Sequence, residues 1–381
     1  MRGASAVDEC RRLGLDPGQR SRFLARLTSL CETGAIPSAA VVWGRRRGAT
    51  EPVIVGRMAD SPSAPPARDD TLFLVASLTK PVVAMAIVIL IERGELTLDD
   101  RVADLLPGFN DGRPFKTDVR LRHLLTHTSG LPDMTPSNRA LRERHAPLEQ
   151  FIEEIQGLPL AFPPGRGVSY QSTGFALLGE VVRTVTGQTL PAFLHQAIFE
   201  PLGMNDTSLG WRPEAASRIA ANRLEPEMQG TQWHWNTPYW LGFGAPWGGL
   251  ITSPADFACF CRLMLNEGSL DGVRIVSPAG VRMATRNQLE GFPALPETDR
   301  RLRPWGLGWR LAWPGTSAHF GDALGPRGFG HWGATGTLCW IDPERDEVLV
   351  IFTTLPGGEE GSHLARLTNG ATAVFTSDTT A

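Results

Sequence analysis

Ser77-Leu78-Thr79-Lys80-Pro81 is the stretch on which the reading of this 381-residue chain turns. Residues three apart on a helix share a face, one turn separated, so the Ser77 hydroxyl and the Lys80 amine can meet. Pro81 has no N–H to donate and suits a first helical turn. Ser77 is therefore expected at the helix N-terminus, where free N–H groups and the positive dipole end favour developing negative charge. A serine placed there can attack a carbonyl while its own amide holds the oxyanion. Free lysine titrates near 10.4. The apolar run Val82 to Ile91 predicts burial, and burial lowers a lysine pKa, so Lys80 becomes a plausible activator. The alternative is a capping serine beside a surface lysine. Lysine occurs only at Lys80 and Lys116, against many arginines, so each merits inspection.

Two further clusters accompany it. Tyr170-Gln171-Ser172 lies within PPGRGVSYQSTGFALLGEVV, after a Pro/Gly loop and before a helical run. Tyr170 is one of two tyrosines. A nearby lysine ammonium would push its phenol toward phenolate, able to take the Ser77 proton and pass it to a leaving group; the alternative is packed core. Gly330-His331-Trp332-Gly333-Ala334-Thr335-Gly336 reads as a glycine-bounded strand whose small residues allow close backbone approach to a substrate. The Ala334 N–H would be a second oxyanion donor, while a histidine such as His331, taken alone, is more often structural.

The rest of the chain sets bounds. Hydrophobic residues at 42% and charged residues at 20% exclude disorder. A net charge of −3 gives no electrostatic case for nucleic acid or an anionic membrane. The first 20 residues lack a signal-peptide pattern, and the longest apolar run is about half a membrane span. Five cysteines without CxxC spacing suggest reduced thiols, so a cytoplasmic location is expected. Helical periodicity is predicted at residues 8–31, 77–93, 120–126, 148–156, 173–186, 190–198, 254–266, 277–286 and 362–375. Strands are predicted at 39–43, 52–55, 306–313, 328–332, 336–341 and 348–354. The arginine run 45–47 is expected to be a solvated hairpin tip. Residues 233–247 are aromatic without a helical period and suggest the rim of an apolar pocket around Trp247. β signals at both ends and helices between them predict an antiparallel sheet assembled from both termini.

Together, in this order, the three clusters resemble the serine β-lactamase and penicillin-binding protein superfamily, with its SxxK, Tyr-x-Asn and Lys-Thr-Gly signatures. The resemblance covers residues 20–355 and is strongest to the class C-like branch. SLTKP, LRHLLTHTSGLPD (121–133), YQSTGFALLG and GGLITSPADFACF (248–260) look like family VIII carboxylesterases. This implies an α+β, serine β-lactamase-like fold. Residues 1–75 and 245–381 would form the sheet domain and 76–244 a mainly helical one, with the active site between them. By the same resemblance Ser77 is the acylated nucleophile, Lys80 and Tyr170 activate it, and the amides of Ser77 and Ala334 form the oxyanion hole. Met134, Ser172, Trp247, His331, Trp332 and Gly333 would contact substrate.

The chain also departs from that pattern. His331-Trp332-Gly333 replaces Lys-Thr-Gly, Ser172 replaces an asparagine, and Met134 stands where the family's lactamases offer a glutamine amide. Unpaired polar substrate groups cost about 1–3 kcal/mol each, which argues against a dedicated β-lactamase. G-x-S-x-G does not occur, so the α/β-hydrolase elbow is excluded. His123 and His127 have zinc-helix spacing but lack HExxH or a third ligand, so no metal is expected, and no cofactor. The expected activity is hydrolysis of small carboxylic esters with short acyl or aryl groups. The alternatives are β-lactam, D-amino-acid peptide or amide hydrolysis, acyl transfer, or a non-catalytic binding module on the same fold.

Overall fold

The computed structural model describes residues 6–312, 319–357 and 362–376. Its strands are β1 (Ser38–Arg45), β2 (Gly48–Ala49), β3 (Val53–Gly56), β4 (Phe73–Leu74), β5 (Ser208–Leu209), β6 (Leu250–Thr252), β7 (Ser269–Leu270), β8 (Val273–Arg274), β9 (Arg310–Leu311), β10 (Phe329–Gly333), β11 (Thr337–Asp342) and β12 (Glu347–Thr353). The main sheet runs β2-β1-β12-β11-β10-β9, with β3 also paired to β1. Every pairing in it is antiparallel. Thus the first long strand lies between early and late segments of the chain, as the distribution of β signals anticipates.

Strand β1 is buried along its whole length. Successive side chains point to opposite faces, and the two faces meet different cores. Ala39, Val41 and Trp43 join Phe23, Leu27, Leu364 and Leu367 from the terminal helices Pro17–Glu32 and Ser362–Thr372. Ala40 and Val42 join Phe257, Phe260 and Cys261 of the helix Pro254–Leu265. The helix Thr79–Glu92 is apolar all round, and its residues 79–90 are all buried. Fully burying each large aliphatic side chain there stabilises the fold by about 1.5–3 kcal/mol. A small sheet, β4-β6-β5, fixes the segment just before that helix.

Three local expectations fail. Arg45 is not solvated: it is 1% exposed, and its guanidinium donates to the carbonyls of Leu13, Gly14, Arg345, Asp346 and Thr376. Segments distant along the chain bring these carbonyls together there, and one rigid guanidinium fork serves all of them. Residues 306–309 are not strand. Gly308 takes φ +69° and donates to the Leu125 carbonyl, so only Arg310–Leu311 pairs, and residue 313 lies outside the described residues. Residues 238–243 form a short helix, capped by the Thr237 side chain and started by Pro238, too short for its period to show.

Candidate active site

Ser77 sits in a single 3₁₀ turn, Ala76–Leu78, that leads into the helix Thr79–Glu92. Ala76 is left-handed, with φ +47°, a conformation costing about 1–3 kcal/mol that persists only where surroundings enforce it. The enforcement is visible on both sides. Thr79 Oγ1 donates to the Ala76 carbonyl and accepts from the Leu250 N–H at 3.0 Å. From the β10–β11 hairpin, Thr335 Oγ1 donates to the Leu74 carbonyl at 2.7 Å and Thr337 Oγ1 to the Val75 carbonyl at 2.9 Å. Gly333 permits this approach, since a Cβ there would overlap the Val75 carbonyl oxygen. The turn carrying Ala334 is thereby held against the serine turn.

Lys80 Nζ lies 3.0 Å from Ser77 Oγ and donates to the Trp247 carbonyl at 2.9 Å. It sits 4.7 Å from the centre of the Tyr170 ring and 5.8 Å from that of Phe175. The lysine is fully buried, and desolvation brings its pKa down to about 7, opposed by the charge of Asp133. Near neutrality it therefore exists partly as a free amine, beside the serine and without a neighbouring carboxylate bonded to it.

Ser77 beside it favours the Tyr170 phenolate, but desolvation outweighs that contribution and raises the phenol pKa. This corrects the expected drift toward phenolate: Lys80 is itself half neutralised by burial and cannot act as a full counter-charge. A neutral phenol can donate a proton and a free amine can accept one.

Gln171, which the sequence reading passed over, anchors Tyr170. Its Nε2 donates to the carbonyls of Leu124, at 3.2 Å, and His123, and its Oε1 accepts from the Ser129 hydroxyl. These are the last carbonyls of the helix Leu121–Leu125, which need partners. The Ser172 N–H donates to Asp133 Oδ1 at 2.7 Å, and Ser172 and Thr173 both donate to the Asp133 carbonyl. LTHTSGLPD thus carries the tyrosine loop, and the carboxylate after GLP was its visible signal.

Two histidines complete the cluster. His127 is buried, accepts the Gln171 N–H on Nδ1 at 3.1 Å, and packs 4.6 Å from the Tyr170 ring and 4.4 Å from the Trp305 ring. His331 is 1% exposed; its Nδ1 lies 2.7 Å from the Trp332 carbonyl and 2.9 Å from the Trp332 N–H, and its ring lies 6.1 Å from Tyr170. Desolvation, reinforced by Lys80, holds His127 well below its ordinary pKa and His331 down to about 3. Both are neutral in working conditions. His331 therefore offers no cation where the superfamily pattern has lysine.

The remaining expected contacts divide. Trp247 is buried, with its carbonyl on Lys80, and it lines a narrow recess with Met134, Thr135, Phe151, Ile155 and Thr173. Ser172 is buried beside Tyr170. Trp332 is half-buried and stacks on His319 at 3.7 Å. His123 accepts the Arg120 N–H and packs on Phe292, a helix-capping position. Lys116 is structural: it donates to the Gln156 and Leu158 carbonyls and covers the Phe109 ring. The five cysteines are free. No helix among the described residues is long and apolar enough to cross a membrane.

Comparison with known proteins agrees with this geometry. The family model described as "Beta-lactamase" matches residues 24–373. Penicillin-binding protein 4 of Amycolatopsis lactamdurans is 32% identical over 321 residues, covering 81% of this chain and 75% of that protein. Esterase EstB of Burkholderia gladioli is 39% identical over 165 residues, 39% of this chain and 41% of the esterase. The crystal structure of a family VIII carboxylesterase superposes on 93% of this chain and 98% of its own, with a TM-score of 0.74 and 20% identity, a likeness of fold.

Proposed function

Since this chain belongs to the beta-lactamase family of serine hydrolases, we propose that it cleaves small carboxylic esters through an acyl-enzyme on Ser77. The observation that carries the reading is the pairing of Ser77 Oγ with a buried, half-neutral Lys80 at 3.0 Å. The free amine takes the serine proton as Oγ attacks the ester carbonyl. The amides of Ser77 and Ala334 hold the oxyanion. When the tetrahedral adduct collapses, the Tyr170 phenol protonates the departing alkoxide and is recharged by the Lys80 ammonium. Water then enters, loses a proton by the reverse route, and releases the acid. No step calls for a metal or cofactor.

Esters are favoured over β-lactams by what faces the substrate. Neutral His331 and the thioether of Met134 would leave a lactam's carboxylate and amide without partners. The likeness to a penicillin-binding protein makes D-amino-acid peptides and lactams the second reading, separated by profiling nitrocefin and D-alanyl peptides against p-nitrophenyl esters. The free cysteines support a reducing, cytoplasmic setting. The decisive comparison is p-nitrophenyl acetate hydrolysis by wild type and Ser77→Ala. Loss of at least a thousandfold supports the assignment, and an unchanged rate refutes it.

A further inference from the structure

Behind the catalytic cluster lie two spaces that the reaction does not use. The first is the recess beside Trp247, too narrow for a water molecule. The second is a groove of about 890 Å³ whose lining includes Leu148, Ile152, Ala176, Leu209, Phe243 and Pro246. Each of three chain segments contributes to both. Phe151 and Ile155 face the recess while Leu148 and Ile152 face the groove; Thr173 faces the recess and Ala176, one turn on, the groove; Trp247 faces the recess and Phe243 and Pro246 the groove. The wall between them is therefore one side chain thick. It consists of three rings: Phe151 lies 5.0 Å from Phe243, Phe243 lies 5.9 Å from Trp247, and Phe151 lies 6.3 Å from Trp247. The Trp247 backbone holds Lys80, so this wall starts at the reacting centre.

We infer that the Phe151–Phe243–Trp247 partition is the acyl-length filter of the site, restricting the wild-type protein to short acyl chains and closing off a groove that fits a medium, octanoyl-like chain. The inference rests on the ester reading for its substrate. Three packed rings, with Phe243 meeting both others edge-on, form a stiff barrier, whereas Met134, across the recess, is adaptable and sets no hard limit. A chain admitted past the rings would meet Leu148, Ile152, Ala176 and Leu209 in a groove that also carries Glu149, Glu180 and Arg183; against the aliphatic side chains each buried methylene favours binding roughly fourfold.

The test uses p-nitrophenyl alkylphosphonates with methyl and octyl groups. Ser77 Oγ attacks phosphorus, forming an O–P bond and expelling p-nitrophenolate, so pocket length is read without ester turnover. Within each protein the octyl-to-methyl rate ratio is measured, which cancels changes in intrinsic reactivity. The wild type should react at least tenfold more slowly with the octyl reagent. Trp247→Ala, and separately Phe243→Ala, should raise the ratio tenfold or more. Adding Leu148→Asp, a helix-compatible charge at the half-buried start of the Leu148–Gln156 helix, should cancel the gain by placing a carboxylate in the groove. Equal wild-type rates, or an unchanged ratio in both ring variants, would overturn the filter. Wild-type hydrolysis of p-nitrophenyl acetate is scored separately: its absence, with phosphonylation intact, counts against the ester reading and not against the partition.

Discussion

The Thr337 hydroxyl donates to the Val75 carbonyl at 2.9 Å, joining the β10–β11 hairpin to the chain two residues before the nucleophile. With the parallel bond from Thr335 to Leu74, it sets how close the Ala334 turn stands to Ser77. Thr337→Val keeps the shape and removes the bond. The Val75 carbonyl keeps only its longer bond from the Leu78 N–H, at 3.3 Å, so the lost hydrogen bond should cost about 1 kcal/mol. Chemical denaturation should show that loss, and kcat for p-nitrophenyl acetate should fall at least tenfold as the oxyanion donors separate.

Gly333→Ala probes the same approach through sterics. The added methyl would overlap both the Val75 carbonyl oxygen and Thr337 Oγ1, and the first of these is backbone that cannot swing aside. The hairpin must then lift from the serine turn. The expected result is a fall in kcat of at least a hundredfold, about 2.7 kcal/mol, as for one lost oxyanion donor, with far-ultraviolet circular dichroism unchanged.

The pH dependence follows from Lys80. In the proposed mechanism its free amine is the reactive form, and burial brings its pKa down to about 7. Below that value the amine is protonated, so kcat/KM should drop tenfold per pH unit on the acid side and level off above it. His127 and His331 are held neutral throughout this range and add no second ionisation. A kcat/KM profile from pH 5 to 9 that instead rises with an apparent pKa near 10 would show that Lys80 is not desolvated as described.

Arg45 gives a prediction about stability alone. Arg45→Met removes donors from five backbone carbonyls, far from the reacting atoms. Several unpaired buried acceptors should cost at least about 3 kcal/mol, visible as a lowered Tm. At temperatures where the variant is folded, kcat and KM for p-nitrophenyl acetate should match the wild type.

Where the chemistry depends on local spacing, the sequence is sufficient: Ser77 and Lys80 meet because they are one turn apart, and the apolar run after Pro81 buries the lysine. The central sheet is legible because β1, β11 and β12 are continuous apolar runs too short for a buried helix. What escapes is whatever depends on partners distant in the chain. The fate of Arg45 is decided by carbonyls at residues 13, 14, 345, 346 and 376. The direction of the Tyr170 shift is decided by desolvation, which periodicity does not reveal. Gln171 has no chemistry of its own, so nothing in its local pattern announces that it anchors the catalytic loop.

The central claim is that Ser77 becomes acylated. Stopped-flow hydrolysis of p-nitrophenyl acetate, quenched early and followed by peptide mass spectrometry, tests it most directly. The prediction is an initial burst of nitrophenol of one equivalent per chain and a single acetyl group on the peptide bearing Ser77, both absent in Ser77→Ala. An acetyl group on another residue, or full turnover by Ser77→Ala, would contradict it.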